Sequence, residues 1–137
     1  MKTAVDTNIL LDVFLPDPVF GECYRRAIEE CARLDRLVIC EPVYAELAAC
    51  FPAADSLDAI LADIGIEVEP VSRAGAFAAG RAWKKRREAG GDRRRIMTDF
   101  LIGGHALREA HQLLSRDRGF YRHCFGGLKV VEPTPGK

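Results

Sequence analysis

The sequence predicts an α/β domain of three layers, with a central parallel sheet of about five strands covered on both faces by helices. Two observations carry this prediction. Short apolar runs, too continuous to alternate between a wet and a dry face, recur between segments with helical spacing. The chain has 137 residues, enough for one compact domain and too few for two. The expected division is a domain over residues 1–132 and a short tail over 133–137, which contains Pro133-Thr134-Pro135-Gly136.

In chain order, Thr3-Ala4-Val5 reads as a first buried strand ending at Asp6. A short helix is expected from Thr7 or Asn8, both capping residues, to just before Pro16. Asp17-Pro18 is expected to open a longer helix to about Leu34, because Pro suits the first turn. Leu37-Val38-Ile39-Cys40 is a second strand. Pro42 starts a third helix with Val43, Leu47 and Phe51 on one side, ended by Pro52. Ser56 to Ile64 reads as helix, Ile66 to Val71 as strand, and Ala74 to about Glu88 as helix, broken by Gly90-Gly91. A helix follows from about Thr98 to Ala110, then a strand from Gln112 to Ser115 and a short helix from Gly119 to Cys124. Leu128-Lys129-Val130-Val131 is the last strand.

Composition, 48% hydrophobic and 29% charged, is that of a soluble globular chain rather than a disordered or membrane one. No apolar stretch approaches the length of a membrane span. Five cysteines, odd in number and without a C-x-x-C pair, point to reduced thiols and a cytoplasmic setting. Twenty basic and twenty acidic residues cancel, so net charge says nothing about nucleic acid. The distribution says more: Lys84 to Arg95 holds seven Lys or Arg against Glu88 and Asp92. That run reads as an RNA-backbone contact, a docking surface for an acidic partner segment, or a solvated helix end.

Four acids occupy informative places. Asp6 follows the first strand, Asp117 the fourth, Glu46 lies in the helix after the second, and Asp99 begins the helix leading to the fourth. Ligand sites in open parallel sheets lie outside the carboxyl ends of the strands. A helical side chain tilts toward its helix N-terminus, which would lean Glu46 back over that rim. Each acid also has an ordinary reading: Asp6 and Asp117 as helix caps, Asp99 as a first-turn charge, Glu46 as a solvated face. Carboxylates held together repel one another unless a cation lies between them, and hard oxygen donors suit Mg²⁺ or Mn²⁺ better than Zn²⁺.

The segments around these acids carry a resemblance. Val5-Asp6-Thr7-Asn8-Ile9-Leu10, Tyr44-Ala45-Glu46-Leu47, Thr98-Asp99-Phe100-Leu101-Ile102-Gly103-Gly104-His105-Ala106 and Ser115-Arg116-Asp117-Arg118-Gly119-Phe120 resemble, in order and spacing, the PIN domain family. In particular they resemble the VapC-type toxin ribonucleases of bacterial and archaeal toxin–antitoxin pairs. The resemblance implies that Asp6, Glu46, Asp99 and Asp117 hold Mg²⁺, with Mn²⁺ as a substitute, and serve RNA hydrolysis by a metal-activated water. It places Asn8 and Ser115 as supporting polar groups beside the first and fourth acids. It also implies an RNA substrate such as tRNA or rRNA, a homodimer, and a cognate antitoxin whose C-terminal segment covers the active site.

Arg116 and Arg118 flank Asp117 and are candidates for phosphate contact through their bidentate geometry. Glu41 competes with Glu46, being close to the second strand, but does not occupy the family's glutamate position. Gly103-Gly104 inside a helix implies close packing on a neighbour, and Phe77 and Trp83 read as core or dimer contacts. Two rival readings are a non-catalytic PIN-like RNA- or protein-binding module and a phosphatase of the haloacid-dehalogenase type. The phosphatase needs a second Asp two residues after the first, where this chain has Asn8.

Overall fold

The computed structural model describes residues 1–15, 17–90 and 97–134. Its elements run β1 (Lys2–Val5), α1 (Thr7–Phe14), α2 (Gly21–Leu34), β2 (Arg36–Cys40), α3 (Glu41–Ala48) and α4 (Ala54–Ile64). Then follow β3 (Ile66–Glu69), α5 (Arg73–Glu88), α6 (Met97–Glu109), β4 (Gln112–Leu114), α7 (Arg118–Cys124) and β5 (Val130–Val131). The five strands form one sheet in the order β3-β2-β1-β4-β5, with every pairing parallel. The chain steps outward from β1 to β2 to β3, then jumps back across β1 to β4 and β5. Right-handed crossovers turn a reversal of this kind into helices on both faces, giving the three-layer arrangement the sequence predicts. The apolar strand runs are its centre: Leu37, Val38, Ile39 and Cys40 are all buried, as are Ala4, Val5, Leu113 and Leu114.

Element ends differ from the sequence expectation where a side chain intervenes. Asp17 does not open a helix. Its carboxylate accepts the N–H groups of Val19 and Phe20 at 2.9 and 2.8 Å, making a local turn, and α2 starts only at Gly21. The third helix stops at Ala48, short of Phe51. Phe51 instead meets Phe14 edge to face, with ring centroids 5.8 Å apart. Phe77, expected in the core or at a dimer contact, is 65% exposed with the Arg81 guanidinium above its ring.

Helices α5 and α6 approach unusually closely, and the paired glycines explain how. A Cβ on Gly104 would strike the carbonyl oxygen of Gly75, and one on Gly103 would strike the Phe125 ring. The cost of Gly104 is therefore offset by a backbone-to-backbone approach to Gly75, and that of Gly103 by room for the Phe125 ring, neither of which a larger residue allows.

His105, on the same helix, is buried and its Nε2 donates to Glu69 Oε1 at 2.9 Å, while Lys2 Nζ donates to Glu69 Oε2 at 2.9 Å. This ties α6 to the strands β1 and β3. Burial pushes the Glu69 carboxyl up, but hydrogen bonds from Lys2 and His105 more than reverse this and hold it below its ordinary value of 4.5. A carboxyl depressed on folding adds stability that is full above 4.5 and is lost as the pH falls through the lower folded value. Glu69→Gln is expected to cost about 1–2 kcal/mol at neutral pH. In denaturant titrations the deficit should fade once the pH is well below 4.5. A deficit of the same size at acidic and neutral pH would contradict this.

Candidate functional site

The sheet order reverses at β1, whose neighbours β2 and β4 lie on opposite sides of it, reached by the chain moving in opposite directions along the sheet. A reversal of this kind opens a crevice at the carboxyl ends of the strands. Asp6 is the residue immediately after β1, and Ser115 and Asp117 lie just beyond β4. The two strand ends are bonded together: Asp6 N–H donates to the Leu114 carbonyl at 2.9 Å, and Ser115 Oγ donates to Asp6 Oδ2 at 2.7 Å. Ser115 Oγ in turn accepts the Asp117 N–H at 2.9 Å. Ser115 thus connects the first and fourth candidate acids.

Asp6 does cap α1, its Oδ1 accepting the Thr7 N–H at 2.8 Å, yet capping does not exhaust its chemistry. Its residue is 6% exposed. Burial raises the carboxyl to about 6, and the charge of Asp99 adds to the rise; bonds from Ser115, Thr7 N–H and Tyr121 pull the other way. Asp99, in the first turn of α6, is therefore close enough for its field to be felt at Asp6. Asp117 stands at the N-terminus of α7 without making a side-chain capping bond, so the capping explanation fails for it.

Glu46 reaches the same rim through a neighbour. Its Oε1 accepts a hydrogen bond from Thr7 Oγ1 at 2.6 Å. The competing Glu41 is occupied elsewhere, accepting the Val71 N–H at 2.8 Å and anchoring the segment after β3. Asn8, in the first turn of α1, has its side-chain oxygen buried without a hydrogen-bond partner.

Two residues at this site were not singled out from the sequence. Thr7 was read only as a helix start, yet it touches both Asp6 and Glu46. Tyr121 was read only as part of a short helix. It is buried, and burial together with the negative charges of Asp6, Asp99 and Asp117 raises its phenol well above the ordinary value. Phe100 and Phe120 stack edge to face at 5.1 Å beside it, forming an apolar wall. Aromatic residues just after a strand-end acid are the signal that could have drawn attention to Tyr121.

The two flanking arginines are differently placed. Arg116 binds Asp12 at 2.5 Å and lies over the Phe20 ring at 5.0 Å, which commits it to holding α1 and the start of α2. Arg118 is 40% exposed, with Glu132 at 3.9 Å. Of the basic run, Lys84, Lys85 and Arg87 are exposed on α5. Arg86 packs over the Phe120 ring at 5.5 Å, against the wall of the site. Arg93, Arg94 and Arg95 lie outside the described residues.

The carboxylate oxygens and the raised Asp6 carboxyl fit a hard divalent cation in donor type and in field. Among the described residues, no three His, Cys, Asp or Glu side chains are already grouped to hold one ion. In this arrangement the carboxylates of Asp6 and Glu46 are satisfied by hydroxyls instead.

An α/β domain with a parallel five-stranded sheet and a buried carboxylate, Asp6, at its switch point is the class that fold and site define together. The chain belongs to the PIN domain family, whose model matches residues 3–126. Its fold is that of several solved complexes. VapBC2 from Rickettsia felis, bound to a DNA fragment from its promoter, is 22% identical with a TM-score of 0.77, covering 97% of this chain and 99% of the other. VapBC-1 from nontypeable Haemophilus influenzae is 22% identical with a TM-score of 0.73, covering 96% and 98%. A toxin–antitoxin complex from Klebsiella pneumoniae is 21% identical with a TM-score of 0.65, covering 97% and 98%. No curated protein matches the chain at a comparable level of significance.

Proposed function

We propose that this chain is a Mg²⁺-dependent endoribonuclease of the VapC type, the toxin of a toxin–antitoxin pair acting in the cytoplasm. The observation that carries the reading is Asp6: a buried carboxylate at the switch point, bonded to Ser115 beside Asp117, felt by Asp99 and linked through Thr7 to Glu46. Membership of the PIN domain family supports it.

Asp6, Glu46, Asp99 and Asp117 would hold the cation. When bound, it supplies charge neutralisation for the phosphodiester and a water acidic enough to serve as nucleophile near neutral pH. The protein's own work is positional. Ser115 and the Thr7 N–H fix the two oxygens of Asp6. Tyr121 stands beside that carboxylate, and Phe100 and Phe120 keep water from one side. No side-chain nucleophile is required. Exposed Lys84, Lys85, Arg87 and Arg118 supply positive charge for an RNA backbone, with tRNA or ribosomal RNA as the substrate class.

The partner in this reading is an antitoxin, as in the toxin–antitoxin structures that share the fold. A cleft of about 650 Å³ between α1, α2 and α4, lined by Val13, Phe14, Ile28, Ile60 and Ile64, has the chemistry to take an apolar segment of that partner. Exposed Val68 and Phe77 offer apolar surface for a second copy in a homodimer. No helix among the described residues is long and apolar enough to cross a membrane.

Purified protein is expected to cleave a structured RNA with Mg²⁺ or Mn²⁺, to stop in EDTA and to resume when the metal is restored. Cleavage at full rate in EDTA would refute the mechanism. The missing three-ligand grouping among described residues favours a second reading, a PIN-like module that binds RNA or protein without cleaving it. It requires RNA binding with no cleavage at any metal concentration.

A further inference from the structure

Thr7 makes two contacts that no other described residue combines. Its main-chain N–H donates to Asp6 Oδ1 at 2.8 Å, and its hydroxyl donates to Glu46 Oε1 at 2.6 Å. The two acids are far apart in the chain, Glu46 lying 39 residues beyond Thr7 on α3, which packs against α1. The residue is 8% exposed, so water competes poorly for either bond. A hydroxyl donating to a carboxylate at this length is in the charge-assisted range.

The side chains at the two ends differ in stiffness. Threonine is β-branched and restricted at χ1, so once the start of α1 is fixed its hydroxyl points in few directions. Glutamate has three torsions and, on a half-buried helix face, many rotamers to choose from. A stiff donor beside a flexible acceptor settles where the acceptor goes. The bond engages one oxygen of Glu46 and leaves the other for coordination.

We propose that Thr7 is the positioning residue of the site, setting Glu46 against Asp6 so that both carboxylates face one divalent cation. The inference rests on the metal-site reading above and deepens it. Residues of this kind act through the ligand they hold, and their loss commonly weakens metal binding by about 10- to 100-fold. Valine keeps the shape and the N–H of Thr7 and removes only the hydroxyl; serine keeps the hydroxyl and removes the methyl group.

The experiment is equilibrium Mn²⁺ binding, followed by electron paramagnetic resonance or calorimetry, on wild type, Thr7→Val, Thr7→Ser, Glu46→Gln and the Thr7→Val/Glu46→Gln double variant. Thermal unfolding in EDTA runs alongside. Thr7→Val is expected to bind Mn²⁺ at least about tenfold more weakly, with Thr7→Ser within about twofold of wild type. In the Glu46→Gln background, Thr7→Val should add nothing, because the two residues act as one unit. Unchanged affinity in Thr7→Val overturns the inference, as does a Thr7→Ser variant no better than valine or an additive double variant. Absence of saturable Mn²⁺ binding in wild type overturns the metal-site reading itself, and the inference with it.

Discussion

Asp99→Asn is expected to lower Mg²⁺-dependent RNA cleavage by about 10³-fold or more, with the fold intact. The substitution keeps the shape of the side chain and removes one charge. That charge is felt at Asp6, where it adds to the burial that raises the carboxyl to about 6. In the presence of Mg²⁺ the same loss removes a ligand, so the variant should gain less stability from the metal than wild type does. Activity and metal-induced stabilisation should fall together. A variant cleaving at the wild-type rate would remove Asp99 from the site, and one merely unfolded would not report on catalysis.

Gly104→Ala is expected to be the most damaging Ala substitution among the described glycines. The new Cβ would overlap the Gly75 carbonyl oxygen, a backbone atom that cannot rotate away, and would lie 3.1 Å from the Ala79 Cβ. Separating α5 from α6 should cost about 3 kcal/mol, a fall in Tm of roughly 10 °C for a chain of this size. Gly80→Ala, on the same helix α5, is the matched control. Nothing lies within 4 Å of a Cβ there, so it should be neutral or stabilising by about 0.5–1 kcal/mol. Equal stability of the two variants by calorimetry would contradict the close-approach explanation. The consequence reaches function, because α6 carries Asp99 in its first turn. A helix displaced by one methyl group should also weaken Mn²⁺ binding.

The sheet was legible in the sequence because its central strands β1, β2 and β4 are largely buried on both faces. Leu37-Val38-Ile39-Cys40 has no polar alternation to confuse the reading, and all four residues are buried. Boundaries were less legible where a local side-chain bond competes with the helix. Asp17 binds two N–H groups ahead of it and delays α2 to Gly21, which apolar spacing does not reveal. The acids were legible by position relative to the strands, and Asp6, Ser115 and Asp117 come together at adjoining strand ends. What holds them was not. Thr7 meets Glu46 across 39 residues, and Tyr121 comes beside Asp6 from far along the chain, so neither pairing has a local signature. Glu41 and Glu46 lie on the same short helix, and their partners separate them: the Val71 N–H occupies Glu41, while the Thr7 hydroxyl binds Glu46. Arg116 illustrates the converse, since adjacency to Asp117 suggested phosphate contact while its guanidinium turns to Asp12 and Phe20.

The central claim is that these carboxylates share a cation, and anomalous diffraction from crystals grown with Mn²⁺ tests it most directly. The expected result is a manganese peak within coordinating distance of the Asp6 and Asp99 carboxylates, with Glu46 or Asp117 completing the set. It should vanish in Asp6→Asn crystals grown the same way. Ordered crystals with no peak at this rim, or with manganese bound only elsewhere, would contradict it.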